Sequence, residues 1–151
     1  MSPRACRTHS FEFRIARAVG VLLCLLFATA CDEQNPIDPP VPLDRPFVLA
    51  PGEVASIEGT ALRVRFEEVA SDSRCPIDVF CVQAGEAVVV IRVFDESGSS
   101  RYELHTSDRD RRQTTHRNLT IEVIELQPHP SSGRRTDPSE YRATFKTTRA
   151  A

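Results

Sequence analysis

Between Leu62 and Thr147, apolar side chains recur at every second position in four separate stretches. Leu62, Val64 and Phe66 alternate with Arg63, Arg65 and Glu67. Tyr102, Leu104 and Thr106 alternate with Arg101, Glu103 and His105. Leu119, Ile121 and Val123 alternate with Thr120 and Glu122, and Tyr141, Ala143, Phe145 and Thr147 with Arg142, Thr144 and Lys146. A period of two puts successive side chains on opposite faces of an extended backbone, so each stretch predicts a half-buried strand. No stretch sustains the 3.6-residue period that a packed helix needs. The run Ala87 to Ile91, continued by Arg92-Val93-Phe94, predicts a central strand buried on both faces. Phe47–Leu49 and Val54–Ile57 are shorter candidates. Pro51-Gly52 suits a type II turn, Glu58-Gly59 a hairpin turn and Glu96 to Ser99 a longer one. About six to eight short strands with this punctuation predict an all-β fold, an antiparallel β-sandwich or small barrel, without fixing strand order.

The alternation is confined to the later part of the chain. Val19 to Ala28 is apolar and uncharged, Arg4, Arg7, Arg14 and Arg17 precede it, and Ala28-Thr29-Ala30-Cys31 follows. A basic segment, a short apolar segment and small residues at a cut form a secretory signal. The apolar run is ten residues, against roughly 20 for a membrane span. The cysteine at the cut makes the segment similar to a bacterial lipoprotein signal, with Ala28 where such boxes often carry Leu. That resemblance implies removal of residues 1–30 and lipid attachment at Cys31. The membrane is then a partner through that lipid, and the protein faces the periplasm or the exterior. Asp32 beside the cysteine leaves inner against outer membrane open. Residues 31–46 hold Pro36, Pro39, Pro40, Pro42 and Pro46, which block helix and central strand. They are expected to form a tether reaching up to roughly 45 Å at ~3.1 Å per residue. Residues 47–151 are the right size for one domain.

Four Arg and one Glu fall in residues 1–30, so the remainder carries a net charge of −5 against −2 for the whole chain. With no interleaving of aromatic and basic residues, this argues against a nucleic-acid partner. Of five cysteines, Cys6 and Cys24 leave with the signal and Cys31 takes the lipid. Cys75 and Cys81 remain as a pair in an oxidising compartment and predict a structural disulfide. The small ring it closes contributes about 2 kcal/mol by the loop-entropy estimate. Their spacing is not the Cys-x-x-Cys of redox proteins, and two cysteines alone do not build a zinc site.

The most individual segment runs from Asp72 to Ala87. It reads Asp72-Ser73-Arg74-Cys75-Pro76, then Cys81, then Ala84-Gly85-Glu86-Ala87. This resembles a family of uncharacterised bacterial secreted and lipid-anchored proteins that share an Asp-Ser-Arg-Cys-Pro segment, a second cysteine and Ala-Gly-x-Ala leading into a strand. The resemblance extends in outline from Phe47 to about Thr147 and implies no particular activity. Members often carry Trp before the Ala-Gly, where this chain has Gln83, which weakens any aromatic binding platform. Physically, the segment reads as a stapled crossover. Pro76 restricts the backbone, Gly85 permits a tight start to the next strand, and Asp72 and Arg74 hydrogen-bond loop amides and carbonyls. The functional alternative is that the ring presents Ile77, Asp78, Val79 and Phe80 to a partner as a preorganised anchor.

Other polar groups are weaker candidates. His105, Asp108, Asp110 and His116 match no metal-site spacing, and Arg109, Arg111 and Arg112 interrupt them. Ser107 to Arg117 is expected to be a solvated loop, and with Arg134 and Arg135 its arginines offer contacts for anionic groups. Asn118-Leu119-Thr120 matches a glycosylation sequon, but Leu119 reads as core. Glu67 and Glu68 are adjacent and would face opposite sides of a regular strand, a poor acid–base pair. No nucleophile, nucleotide or dinucleotide motif occurs, so no catalytic residue, metal or cofactor is expected. The expected role is non-catalytic binding of an envelope protein or small ligand. An inhibitor acting through the Cys75–Cys81 loop is the nearest alternative, and a hydrolase with a non-local site the more distant one.

Overall fold

The computed structural model describes residues 36–150; the signal segment, Cys31 and residues 32–35 lie outside them. Among the described residues nine strands form: β1 (Pro36–Val41), β2 (Pro46–Leu49), β3 (Val54–Ile57), β4 (Arg63–Asp72), β5 (Ala87–Asp95), β6 (Gly98–His105), β7 (Gln113–His116), β8 (Leu119–Gln127) and β9 (Arg142–Arg149). They make two sheets, ordered β1-β3-β4-β5-β6 and β2-β9-β8-β7. Every pairing is antiparallel except β1 with β3. A disulfide, Cys75–Cys81, closes within the connection from β4 to β5.

The alternating residues explain the layers. Val64 and Phe66 of β4, Val89, Ile91 and Val93 of β5, and Leu104 of β6 are fully buried. Leu49, Ile121, Val123, Ala143 and Phe145 meet them from the second sheet within one core. Phe145 stands edge-on to Phe66 with ring centroids 5.9 Å apart, so the two sheets are locked by an aromatic contact across their interface. The turn Ala50–Glu53 closes through Glu53 N–H to Ala50 O at 3.0 Å, with Gly52 at φ 91°. That left-handed angle is the type II geometry that glycine supplies.

β5 is buried on its inner face, while its outer face is mixed. Val90 is fully buried between Glu68 and Glu103 in register, but Val88, Arg92 and Phe94 are half-buried. Arg101 of β6 reaches over β5 to both Glu67 (3.3 Å) and Glu68 (3.4 Å) on β4. The opposite-face expectation for this carboxylate pair fails because of a bulge. Phe66 pairs with Ile91 and Glu68 with Val90, leaving Glu67 extra, which returns its side chain to the solvent face.

Two further stretches differ from expectation. Pro36–Val41, expected to be free tether, is an edge strand. An outermost strand bonds on one side only, so prolines without N–H groups are tolerated there. Within Ser107 to Arg117, expected to be loop, Gln113–His116 pairs with β8 as the edge of the second sheet. Its sequence Gln-Thr-Thr-His has no apolar alternation because an edge strand need not bury a face.

Thr147 is the buried polar residue of this core, and its Oγ1 has no hydrogen-bond partner among the described residues. Thr147→Val keeps the shape and removes the unpaired hydroxyl. It should raise stability by about 1 kcal/mol, read as a higher urea midpoint with an unchanged slope.

A stapled apolar loop as candidate interaction site

At the end of β4 the ladder continues by side chain. Ser73 N–H donates to Glu86 O (2.8 Å), Ser73 Oγ donates to the same oxygen (2.9 Å) and accepts from Glu86 N–H (3.1 Å). Gly85 lies against this junction so closely that a Cβ there would stand 1.6 Å from Ser73 O. The glycine is needed for close backbone approach, whereas its φ is unremarkable.

Asp72 and Arg74 anchor the loop to the second sheet. Arg74 donates to Asp72 through Nε (2.9 Å) and Nη2 (2.7 Å), to Pro128 O (2.8 Å) and to Leu126 O. Tyr141 donates its hydroxyl to Asp72 at 3.1 Å. Both ionic side chains are only 9% exposed. Burial pushes the Asp72 carboxyl up, but the Arg74 hydrogen bonds and charge prevail and hold it below its ordinary 3.8. Tyr141 is pushed up by burial and by the adjacent Asp72 charge.

Beyond Arg74 the loop is fastened at three further points. Cys75 and Cys81 are bonded, with Cα atoms 5.9 Å apart. Ile77 N–H donates to Pro130 O at 3.0 Å. The Asp78 carboxylate accepts from Ser132 N–H (2.9 Å) and Oγ (2.5 Å), bonds that hold its pKa down. Asp78, expected in the presented set, therefore faces the 129–134 segment as a strut. Pro76 closes a turn through Val79 N–H to Pro76 O, 3.3 Å. The large apolar side chains of the loop remain outward: Ile77 is 74% exposed, Phe80 96% and Val82 97%, with Val79 about half exposed. Val82 was not among the expected residues. Its signal in the sequence is an apolar residue just past the second cysteine and outside any alternating run.

The histidines and acids of the arginine-rich segment do not converge. His105 Nδ1 meets Glu86 at 3.0 Å, Ser107 donates to the same carboxylate at 2.9 Å, and Arg111 pairs with Asp108. Arg112 donates to Thr106 O, Arg134 pairs with Glu140, and Arg135 makes no ion pair among the described residues. No group of three His, Cys, Asp or Glu among the described residues is placed to hold a metal ion.

His116 sits at the other end of the sandwich in a chain that sequence reading missed. Tyr102 Oη lies 2.8 Å from its Nδ1 and Asp95 Oδ2 2.8 Å from its Nε2. Arg117 (2.5 Å) and Ser97 (2.6 Å) also donate to Asp95. Arg117, Ser97 and His116, in that order, hold the Asp95 carboxyl far below the usual range. A cavity of about 380 Å³ adjoins it, lined by Thr60, Leu62, Asp95, Arg117 and Leu119. The Tyr102 hydroxyl and Asp95 engage the two imidazole nitrogens, and the Ser97 hydroxyl bonds Asp95 rather than the ring. These residues come from β5, β6 and β7, and nothing in their linear spacing announces the cluster.

Comparison with protein-family models, curated proteins and solved structures finds no match. The loop geometry is therefore the basis for a functional reading.

Proposed function

We propose that this chain is a lipid-anchored protein of the bacterial cell envelope with a non-catalytic binding role, and that the Cys75–Cys81 loop is its binding surface. The signal-like residues 1–30 and Cys31 support the anchoring. The observation that carries the binding role is the exposure of Ile77, Phe80 and Val82 on a loop fixed by a disulfide and by bonds to Pro130 and Ser132. A loop already held in one conformation loses little entropy on binding, and a cluster of exposed apolar side chains marks a contact surface. An inhibitor inserting this loop into an enzyme cleft is the protein-partner form of the same reading.

The test places a photo-cross-linking residue at Phe80 in the native envelope. An adduct that disappears in Cys75→Ser/Cys81→Ser is expected, and its absence in the intact chain would overturn the loop as binding surface. Phe80→Ala should abolish binding yet change stability by less than about 0.5 kcal/mol, because the ring is almost wholly exposed. For the anchor, Cys31→Ala is expected to be uncleaved or released from membranes; a processed, membrane-bound product would refute the lipid.

A further inference from the structure

The lipidated cysteine precedes Pro36 by only five residues. However those residues run, five steps of chain span at most about 18 Å. The register fixes which end of the sandwich the start of β1 points to. Pro36 is level with Val54 of β3, and Val54 with Arg65 of β4. β1 runs parallel to β3 and therefore opposite to β4, so β4 continues from Arg65 to Asp72 back past the start of β1. Those seven residues cover about 20 Å along the sheet, and the stapled loop follows them. The chain thus enters β1 from the end of the sandwich that carries Ile77, Phe80 and Val82. The turns Glu58–Ala61, Asp95–Gly98 and Arg117–Leu119 lie at the far end.

The leash is no longer than the distance from Pro36 to the end of β4. With the strands upright, a bilayer holding the Cys31 lipid cannot stay clear of the loop. From this match we infer that the occupant of the stapled loop is the bilayer itself, with Ile77, Phe80 and Val82 entering its interfacial layer as a second membrane contact. This rests on the anchoring and binding reading above and names the partner of that same surface. The chemistry suits it. One lipid-attached residue gains hold when exposed apolar side chains add buried area beside it. Arg135, next to the 129–134 segment that fastens the loop, makes no ion pair among the described residues and is available to anionic headgroups. The loop backbone has its own fastenings at Pro130 and Ser132, so insertion asks for no refolding.

The chain has no tryptophan, so one introduced indole reports depth. The processed, lipidated protein carrying Phe80→Trp would be reconstituted into vesicles of equimolar phosphatidylethanolamine and phosphatidylglycerol with brominated acyl chains. Glu96→Trp, in the turn at the far end, is the control, and Val82→Trp is a second reporter should the first misfold. Emission from the loop reporter should move to shorter wavelength and be largely quenched, with the Glu96→Trp chain unaffected. Equal, unquenched emission from both in a chain that floats with the vesicles would overturn the inference while leaving the lipid anchor intact. Quenching absent in vesicles, together with a protein adduct at position 80 in the native envelope, would overturn it in favour of a protein occupant. A wild-type chain recovered from the envelope with no lipid on Cys31, and not floating with the vesicles, would overturn the anchoring and this inference together.

Discussion

Arg74→Ala is expected to cost about 3 to 5 kcal/mol, enough to unfold much of the population of a small domain at ordinary temperature. Three separate losses meet at this one side chain. Asp72 keeps a charge in a place only 9% exposed with its counterion gone. The carbonyls of Leu126 and Pro128 lose their donor. The end of β4 loses its bonds to the β8 terminus and keeps the Tyr141 hydroxyl on Asp72 as its link toward the second sheet. Arg74→Lys should rescue only part, since one ammonium cannot serve a carboxylate edge-on and two carbonyls together. Urea denaturation measures the loss. The pair also leaves a pH signature. Asp72 is held below 3.8 in the fold, so its contribution is fully present above the unfolded value and is lost as pH falls through the folded one. In Asp72→Asn that contribution is absent at neutral pH. The stability gap between the two chains should therefore narrow on acidification below about pH 4. A gap that stayed constant from neutral pH to strong acid would contradict the assignment.

Gly85→Ala should cost about 3 kcal/mol or more, an overpacking effect at the upper end of its range. The added Cβ would sit 1.6 Å from the carbonyl oxygen of Ser73 and 2.4 Å from its carbon, which is backbone and has no rotamer to yield. Relief requires parting the strands at Ser73–Glu86, where three hydrogen bonds close the loop onto the sheet. Amide exchange should therefore accelerate first at Ser73 and Glu86, ahead of the β5 core. An alanine chain with wild-type stability would show that the backbone approach is looser than described. By contrast, nothing lies within 4 Å of a Cβ at Gly52, where the constraint is the φ of 91°. Two glycines thus have two different physical reasons.

The strands that bury one face were legible because burial writes period two into the sequence. Leu62–Glu67, Tyr102–Thr106, Leu119–Val123 and Tyr141–Thr147 each fall on a strand to within one residue for that reason. Two edge strands were not: Pro36–Val41 and Gln113–His116 lie at sheet edges, where no apolar pattern is demanded. Adjacent Glu67 and Glu68 misled because alternation assumes a regular pleat, and a bulge adds one residue without marking it in the sequence. Gly85 stood out by type, but the atom it avoids belongs to Ser73, twelve residues earlier.

For the candidate site, the sequence by itself determined the ring. Two cysteines with five residues between them and a proline beside the first specify a short, stiff loop wherever the strands lie. It also determined that an all-β core would hold that loop, since alternation and turn residues are local properties. Which loop residues face outward was decided only by the tertiary structure. Asp78 turned to Ser132 while Phe80 and Val82 were left in solvent, through bonds to a segment more than fifty residues away. The chain of Tyr102, His116 and Asp95 was decided in the same way, by strands from two sheets meeting at one end. Periodicity and ring size are short-range constraints carried by neighbours in sequence. Orientation, pairing and exposure are fixed by contacts between distant segments, whose identity no local pattern encodes.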